Sequence, residues 1–149
     1  MARTEATAVQ TWRSLVRAKA EISRVLHKGL RESGLSGAQL GILRVLSQCG
    51  DGGVKLNEIS QRLYFTPANL TGLLDRLEEA GWLRRTAHAE DRRITLAILT
   101  SEGKDLFEQI YPAHTARIKH VMSGLTCQEQ RSLTELLTRL SERATQATD

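Results

Sequence analysis

The feature that most constrains this chain is a change of apolar period at Gly81. Before it, Leu70, Leu73, Leu74 and Leu77 recur at the three- and four-residue steps of one helix face. After it, Trp82-Leu83-Arg84-Arg85-Thr86 and Ile94-Thr95-Leu96-Ala97-Ile98-Leu99 have the make-up of strands, the second through its β-branched and apolar run. The polar stretch 87–93 between them reads as a hairpin tip. Upstream, Leu56, Ile59 and Leu63 mark another short helix over about 57–63. The helix that follows it opens at Thr66-Pro67, a side-chain oxygen that can cap and a proline at the first helical position, where an N–H is not needed. It closes at Ala80-Gly81, with a glycine able to take the left-handed conformation. Two short helices joined by a tight turn and followed by a basic-tipped hairpin predict a winged helix-turn-helix with a two-stranded β-wing.

Longer helical patterns flank this lobe. Trp12, Leu15, Val16, Lys19, Ile22, Leu26 and Leu30 form one stripe, and Ser36-Gly37-Ala38-Gln39 reads as a capping box that opens a helix through Leu40, Leu43 and Leu46. That helix stops at the loop Cys49-Gly50-Asp51-Gly52-Gly53. Behind the hairpin a helix starts near Thr100 with Leu106, Phe107 and Ile110; Pro112 is expected to kink or interrupt it before Ile118, Val121 and Met122. The last helix begins at a second capping box, Thr126-Cys127-Gln128-Glu129, and carries Leu133, Leu136, Leu137 and Leu140. Residues 2–7 and 144–149 are expected to fray. The fold class is therefore mainly α and the domain single over 1–149, with dimerisation helices at about 8–50 and 104–146 and the winged lobe at about 54–100. Trp12, Leu15, Val16 and Ile22, together with Leu133, Leu136, Leu137 and Leu140, exceed what the lobe can cover and predict an apolar two-fold interface.

Several function classes fall away. The longest uncharged run, 33–43, holds three glycines and two serines, far short of the ~20 apolar residues of a membrane span. Arg3, Glu5, Gln10 and Arg13 interrupt any signal-peptide core. Cys49 and Cys127 form no C-x-x-C pair, and His27, His114 and His120 have no metal-ligand spacing, so a reduced cytoplasmic chain without metal or cofactor is expected. No nucleophile elbow, P-loop, H-E-x-x-H or Gly-rich strand-to-helix turn is present, so an enzyme is not expected. The formal charge of +4 is weak support for a nucleic-acid partner, because residues 55–95 hold seven Lys/Arg against six Asp/Glu. If DNA is the partner, the placement of a few arginines must decide it.

The stretch Leu73-Leu74-Asp75-Arg76-Leu77-Glu78-Glu79-Ala80-Gly81-Trp82-Leu83-Arg84-Arg85, then Glu90-Asp91-Arg92-Arg93 and Leu99-Thr100-Ser101-Glu102-Gly103, resembles the MarR family of bacterial transcription regulators. The flanking helices extend the resemblance to nearly the whole chain. It implies a homodimer whose first and last helices interlock and hold two winged helices over a palindromic DNA operator. It also implies a regulator, usually a repressor, that responds to a small ligand or an oxidant and is nucleoid-associated when bound.

Under that resemblance the second helix of the motif enters the major groove with its leading residues near base edges. Thr66, Ala68, Asn69, Thr71 and Gly72 lie on its unburied side, joined further along by Arg76, and Asn69 is the best reader because an amide can pair bidentately with adenine. Gly72 departs from the family, in which many members carry a long polar residue there; a glycine permits closer approach of the backbone to DNA. On the wing, Asp91 is expected to pair with Arg93 and aim it into the minor groove, while Arg92 meets a phosphate. His88, Arg84 and Arg85 are weaker candidates. Trp12, Arg13, His27 and Arg44 are conceivable effector-lining residues for a small anionic aromatic ligand, with redox response through Cys49 or Cys127 as the rival. The alternative from another class is a degenerate winged helix used for protein–protein contact.

Overall fold

A computed structural model describes residues 2–147. Helix α1 spans Ala2–Leu30, α2 Gly37–Ser47, α3 Leu56–Leu63, α4 Pro67–Glu79, α5 Ser101–Met122 and α6 Cys127–Gln146; strands β1, β2 and β3 are Val54–Lys55, Leu83–Ala87 and Thr95–Leu99. Local chemistry sets most of these boundaries. Ser36 accepts from the Gln39 N–H at 3.1 Å while Gln39 Oε1 accepts from the Ser36 N–H at 2.9 Å, and Thr126 and Glu129 repeat the reciprocal cap on α6. Thr66 caps α4 with Pro67 in its first turn, and Gly81, at φ 77°, takes the chain out of α4 into β2.

Helix α2 is the centre of the core. Leu40, Ile42, Leu43, Val45 and Leu46 are all buried, and Ile59, Leu70, Leu74, Leu77 and Leu83 close around them from α3, α4 and β2. Leu30 is the buried end of α1, whereas α6 has no buried residue.

The structure differs from expectation at three places. The sheet has three strands in the order β1-β3-β2, all antiparallel, with Val54 opposite Ala97 and Leu83 opposite Leu99. The extra strand depends on Gly53, at φ 73°, where a Cβ would stand 2.7 Å from Ile98 Cγ1. Pro112 does not interrupt α5, which runs unbroken through it. One backbone bond is lost there, but Leu106, Phe107 and Ile110 pack on the core and fix the turns that lead into the proline. Finally, the stretches expected to fray are drawn as helix, α1 from Ala2 and α6 to Gln146, while residues 148–149 of that expectation lie outside the described residues.

A glycine and a threonine join the wing to α5. Thr100 Oγ1 donates to the Gly81 carbonyl at 2.7 Å and accepts from the Gly103 N–H at 3.0 Å, capping α5 in the same stroke. Gly103 is buried where any Cβ would collide with the Trp82 carbonyl oxygen. The Leu99–Gly103 segment of the family-like pattern is therefore an architectural joint.

Candidate nucleic-acid interface

Helix α4 turns Leu70, Leu74 and Leu77 inward and half-buries Leu73, which leaves Thr66, Ala68, Asn69, Thr71, Gly72 and Arg76 exposed on its other side. Among the described residues, the Asn69 carboxamide and the Arg76 guanidinium make no hydrogen bond or ion pair, so both are open to an outside partner. This face is therefore chemically available for contact with a nucleic acid.

The wing tip is a tight polar turn. The His88 N–H donates to the Ile94 carbonyl at 2.8 Å, and the Ile94 N–H to the Asp91 carbonyl at 3.0 Å. Half-buried His88 accepts the Glu90 N–H on Nδ1 at 3.2 Å. Asp91 Oδ1 accepts from the Arg93 backbone N–H at 3.0 Å and from Nε at 3.1 Å, while Oδ2 accepts from Nη2 at 3.2 Å. Arg93 beside it holds the Asp91 carboxyl below its ordinary pKa, through the side-chain bonds first and the backbone bond second. Arg93 nevertheless keeps 91% of its side chain exposed, and Arg92 next to it is exposed with no ion pair among the described residues.

Arg85 behaves differently from the surface cation the sequence suggested. Its Nε meets Glu78 Oε2 at 2.8 Å and its Nη2 meets Asp75 Oδ1 at 2.6 Å, while its backbone N–H donates to Glu78 Oε1 at 2.7 Å. The carboxylates come from the half-buried edge of α4 and the guanidinium from β2, so α4 is clamped to the root of the wing. These contacts lower the Glu78 pKa, led by the Arg85 backbone bond, and raise that of Arg85, led by its bond to Glu78. Asp75 and Glu78 were missed as partners; the available signal was a pair of carboxylates three residues apart on a helix that runs into an arginine-bearing strand. Arg84 remains exposed.

The four candidate effector residues are not brought together within one chain. Trp12 and Arg13 are exposed on the first half of α1, His27 lies 15 residues further along the same helix, about 22 Å at a helical rise, and half-buried Arg44 is on α2. Cys49 is half-buried with Arg62 Nη1 at 3.8 Å from its sulfur, and exposed Cys127 begins α6; both are free thiols. Of the apolar set at the chain's ends, Trp12 is 64% exposed and Leu136 and Leu140 each 53%, while Ile22 and Leu137 are half-buried. No helix among the described residues is long and apolar enough to cross a membrane, and no cluster there could hold a metal ion.

Comparison with known proteins places this geometry in context. The MarR family model matches residues 33–94, from the turn after α1 to the residue before β3. The chain is similar to the HTH-type transcriptional regulator YkoM of Bacillus subtilis, at 33% identity over 87% of this chain and 83% of that protein. It is 32% identical to the HTH-type transcriptional repressor YetL of the same organism, over 93% of this chain and 83% of YetL. A MarR family transcriptional regulator from Streptomyces coelicolor, solved in complex with DNA, superposes with a TM-score of 0.86 at 29% identity, covering 92% of this chain and 87% of that one.

Proposed function

The chain belongs to the MarR family of winged helix-turn-helix DNA-binding transcription regulators, and from that premise we propose that it works in the cytoplasm as a homodimeric, ligand-responsive repressor on a palindromic operator. In this reading α4 lies in the major groove and the wing reaches the adjacent minor groove, with Arg92 on phosphate and Arg93 in the groove.

The observation that carries the reading is the state of Arg93. A guanidinium fixed by both oxygens of Asp91 yet 91% exposed adds little to the fold. Its rigidity has value toward an anionic partner outside the chain, and the narrow minor groove and the phosphates are such partners. Repression is supported by similarity to YetL, which is named a repressor. The dimer is supported by the apolar side chains that α1 and α6 leave exposed. A ligand response is supported by α5, where His114 Nδ1 and Thr115 Oγ1 are buried without a partner among the described residues, polar atoms that an incoming small molecule can satisfy. Arg117 and burial lower the His114 pKa, burial being the larger cause, and a neighbouring guanidinium suits the small anionic aromatic effector that the family resemblance suggests.

Binding to a palindromic duplex, measured by anisotropy across a salt series, tests the proposal. Affinity should fall steeply with salt, and Arg93→Ala should reduce the slope by about one unit on many sequences alike. The absence of salt-dependent binding to any duplex would favour the protein–protein reading instead.

A further inference from the structure

The leading turns of α4 expose Thr66, Pro67, Ala68, Asn69, Thr71 and Gly72, and their polar chemistry is nearly all committed to the helix itself. Thr66 Oγ1 accepts the Asn69 N–H at 3.3 Å, and Thr71 Oγ1 donates to the Pro67 carbonyl at 3.0 Å. With that hydroxyl committed, the γ-methyl is what exposed Thr71 has left to offer, and the side chains of Pro67 and Ala68 offer only carbon. Asn69 alone offers a free side-chain amide.

Gly72 stands among them without a structural reason. A Cβ built there meets nothing within 4 Å, and its φ is not among the positive ones. Glycine inside a helix is destabilising relative to alanine. A residue that weakens its own helix and that neither packing nor backbone conformation requires is accounted for by what approaches from outside.

We propose that α4 selects A·T base pairs, with Gly72 letting its backbone settle against the base edges; this rests on the DNA-binding reading above. Asn69 pairs with adenine N6 and N7, and the methyls of Ala68 and Thr71 meet thymine C5-methyl groups. The groups that read G·C are missing from these turns. Helix α4 has no lysine, and its one arginine, Arg76, lies seven residues beyond Asn69, about 10 Å along the axis, at the reach of flanking phosphates. Of the carboxylates that could accept from cytosine, Asp75 and Glu78 are taken by Arg85, and Glu79 stands at the last residue of the helix, about 15 Å along the axis beyond Asn69.

The test is selection of bound sites from random duplex DNA with the full chain, followed by affinity measurements on the selected site. A·T pairs should dominate the positions at which Asn69→Ala relaxes preference. Replacing a contacted thymine by deoxyuridine, which removes only the methyl, should weaken binding about fourfold. Gly72→Ala should weaken the selected site about tenfold by holding the helix off, while its melting temperature stays at or above that of the unaltered chain. Gly72→Arg should introduce a guanine preference at one position of each half-site. G·C pairs at the Asn69-dependent positions, indifference to deoxyuridine, or Gly72→Ala binding like the unaltered chain would each overturn the inference and leave DNA binding standing. No salt-dependent binding to any duplex would overturn the proposed function along with it.

Discussion

Replacing Arg85 by alanine removes the clamp between α4 and β2, and its cost can be worked from the geometry. The guanidinium is 27% exposed, and its partners Glu78 and Asp75 are 34% and 46% exposed. Each contact therefore lies between a buried charged hydrogen bond, worth about 1.5–3 kcal/mol, and an exposed ion pair, worth about 0.2–1 kcal/mol. Two such contacts, discounted for solvent, give about 1–3 kcal/mol. The loss also leaves two carboxylates three residues apart on one helix without a cation. Only the bond from the residue 85 backbone N–H to Glu78 survives. Urea denaturation of the chain carrying Arg85→Ala, Glu78→Gln and both would give the coupling directly, with about 1 kcal/mol expected for the Arg85–Glu78 pair. Affinity for a selected DNA site should fall more than affinity for random DNA, since helix and wing lose their fixed spacing. A coupling below about 0.3 kcal/mol, with unchanged discrimination, would refute the clamp.

Acid should act through the same residue. The folded Glu78 carboxyl titrates below its ordinary 4.5, so its contribution is complete above that value and is lost as pH falls through the folded pKa. Stability measured between about pH 5 and pH 3 should thus decline less steeply in Glu78→Gln. Gly103→Ala drives a methyl into the Trp82 carbonyl and should cost about 3 kcal/mol, a drop in melting temperature of roughly 6–12 °C read by calorimetry. Light scattering at micromolar concentration should give twice the 16.6 kDa chain mass, and Leu136→Asp should shift it toward the monomer; a monomeric unaltered chain would remove the proposed assembly.

What could be read from the sequence was what neighbouring residues decide. The caps at Ser36, Thr66 and Thr126 and the stop at Gly81 are settled within four residues, and they fall where expected. Strand β1 was hidden because two residues carry no period, and it exists only through pairing with a strand more than forty positions away. Pro112 does not interrupt its helix: propensity counts the lost bond and not the packing of Leu106, Phe107 and Ile110 just before it. Arg85 looked like its neighbour Arg84, since nothing local distinguishes an arginine that faces two carboxylates seven and ten positions upstream. The Asp91–Arg93 pair, only two residues apart, was legible for the opposite reason. The effector residues were chosen by chemistry alone, and chemistry gives no distance between Trp12 and His27.

The joint at Thr100 and Gly103 also has a mechanical meaning. Because Thr100 ties the wing root to the first turn of α5, a tilt that keeps this tie turns the 22-residue helix, about 33 Å long, and the five-residue hairpin strands, about 17 Å, as two arms about one fulcrum. A tilt of about 5° that moves the far end of α5 by roughly 3 Å swings the wing tip by about 1.5 Å. That is enough to take a guanidinium out of hydrogen-bonding range. A small displacement at the distant end of the helix is therefore felt at Arg93, with Leu106, Phe107 and Ile110 on the core and the Arg85 clamp on α4 setting how stiffly the two arms turn.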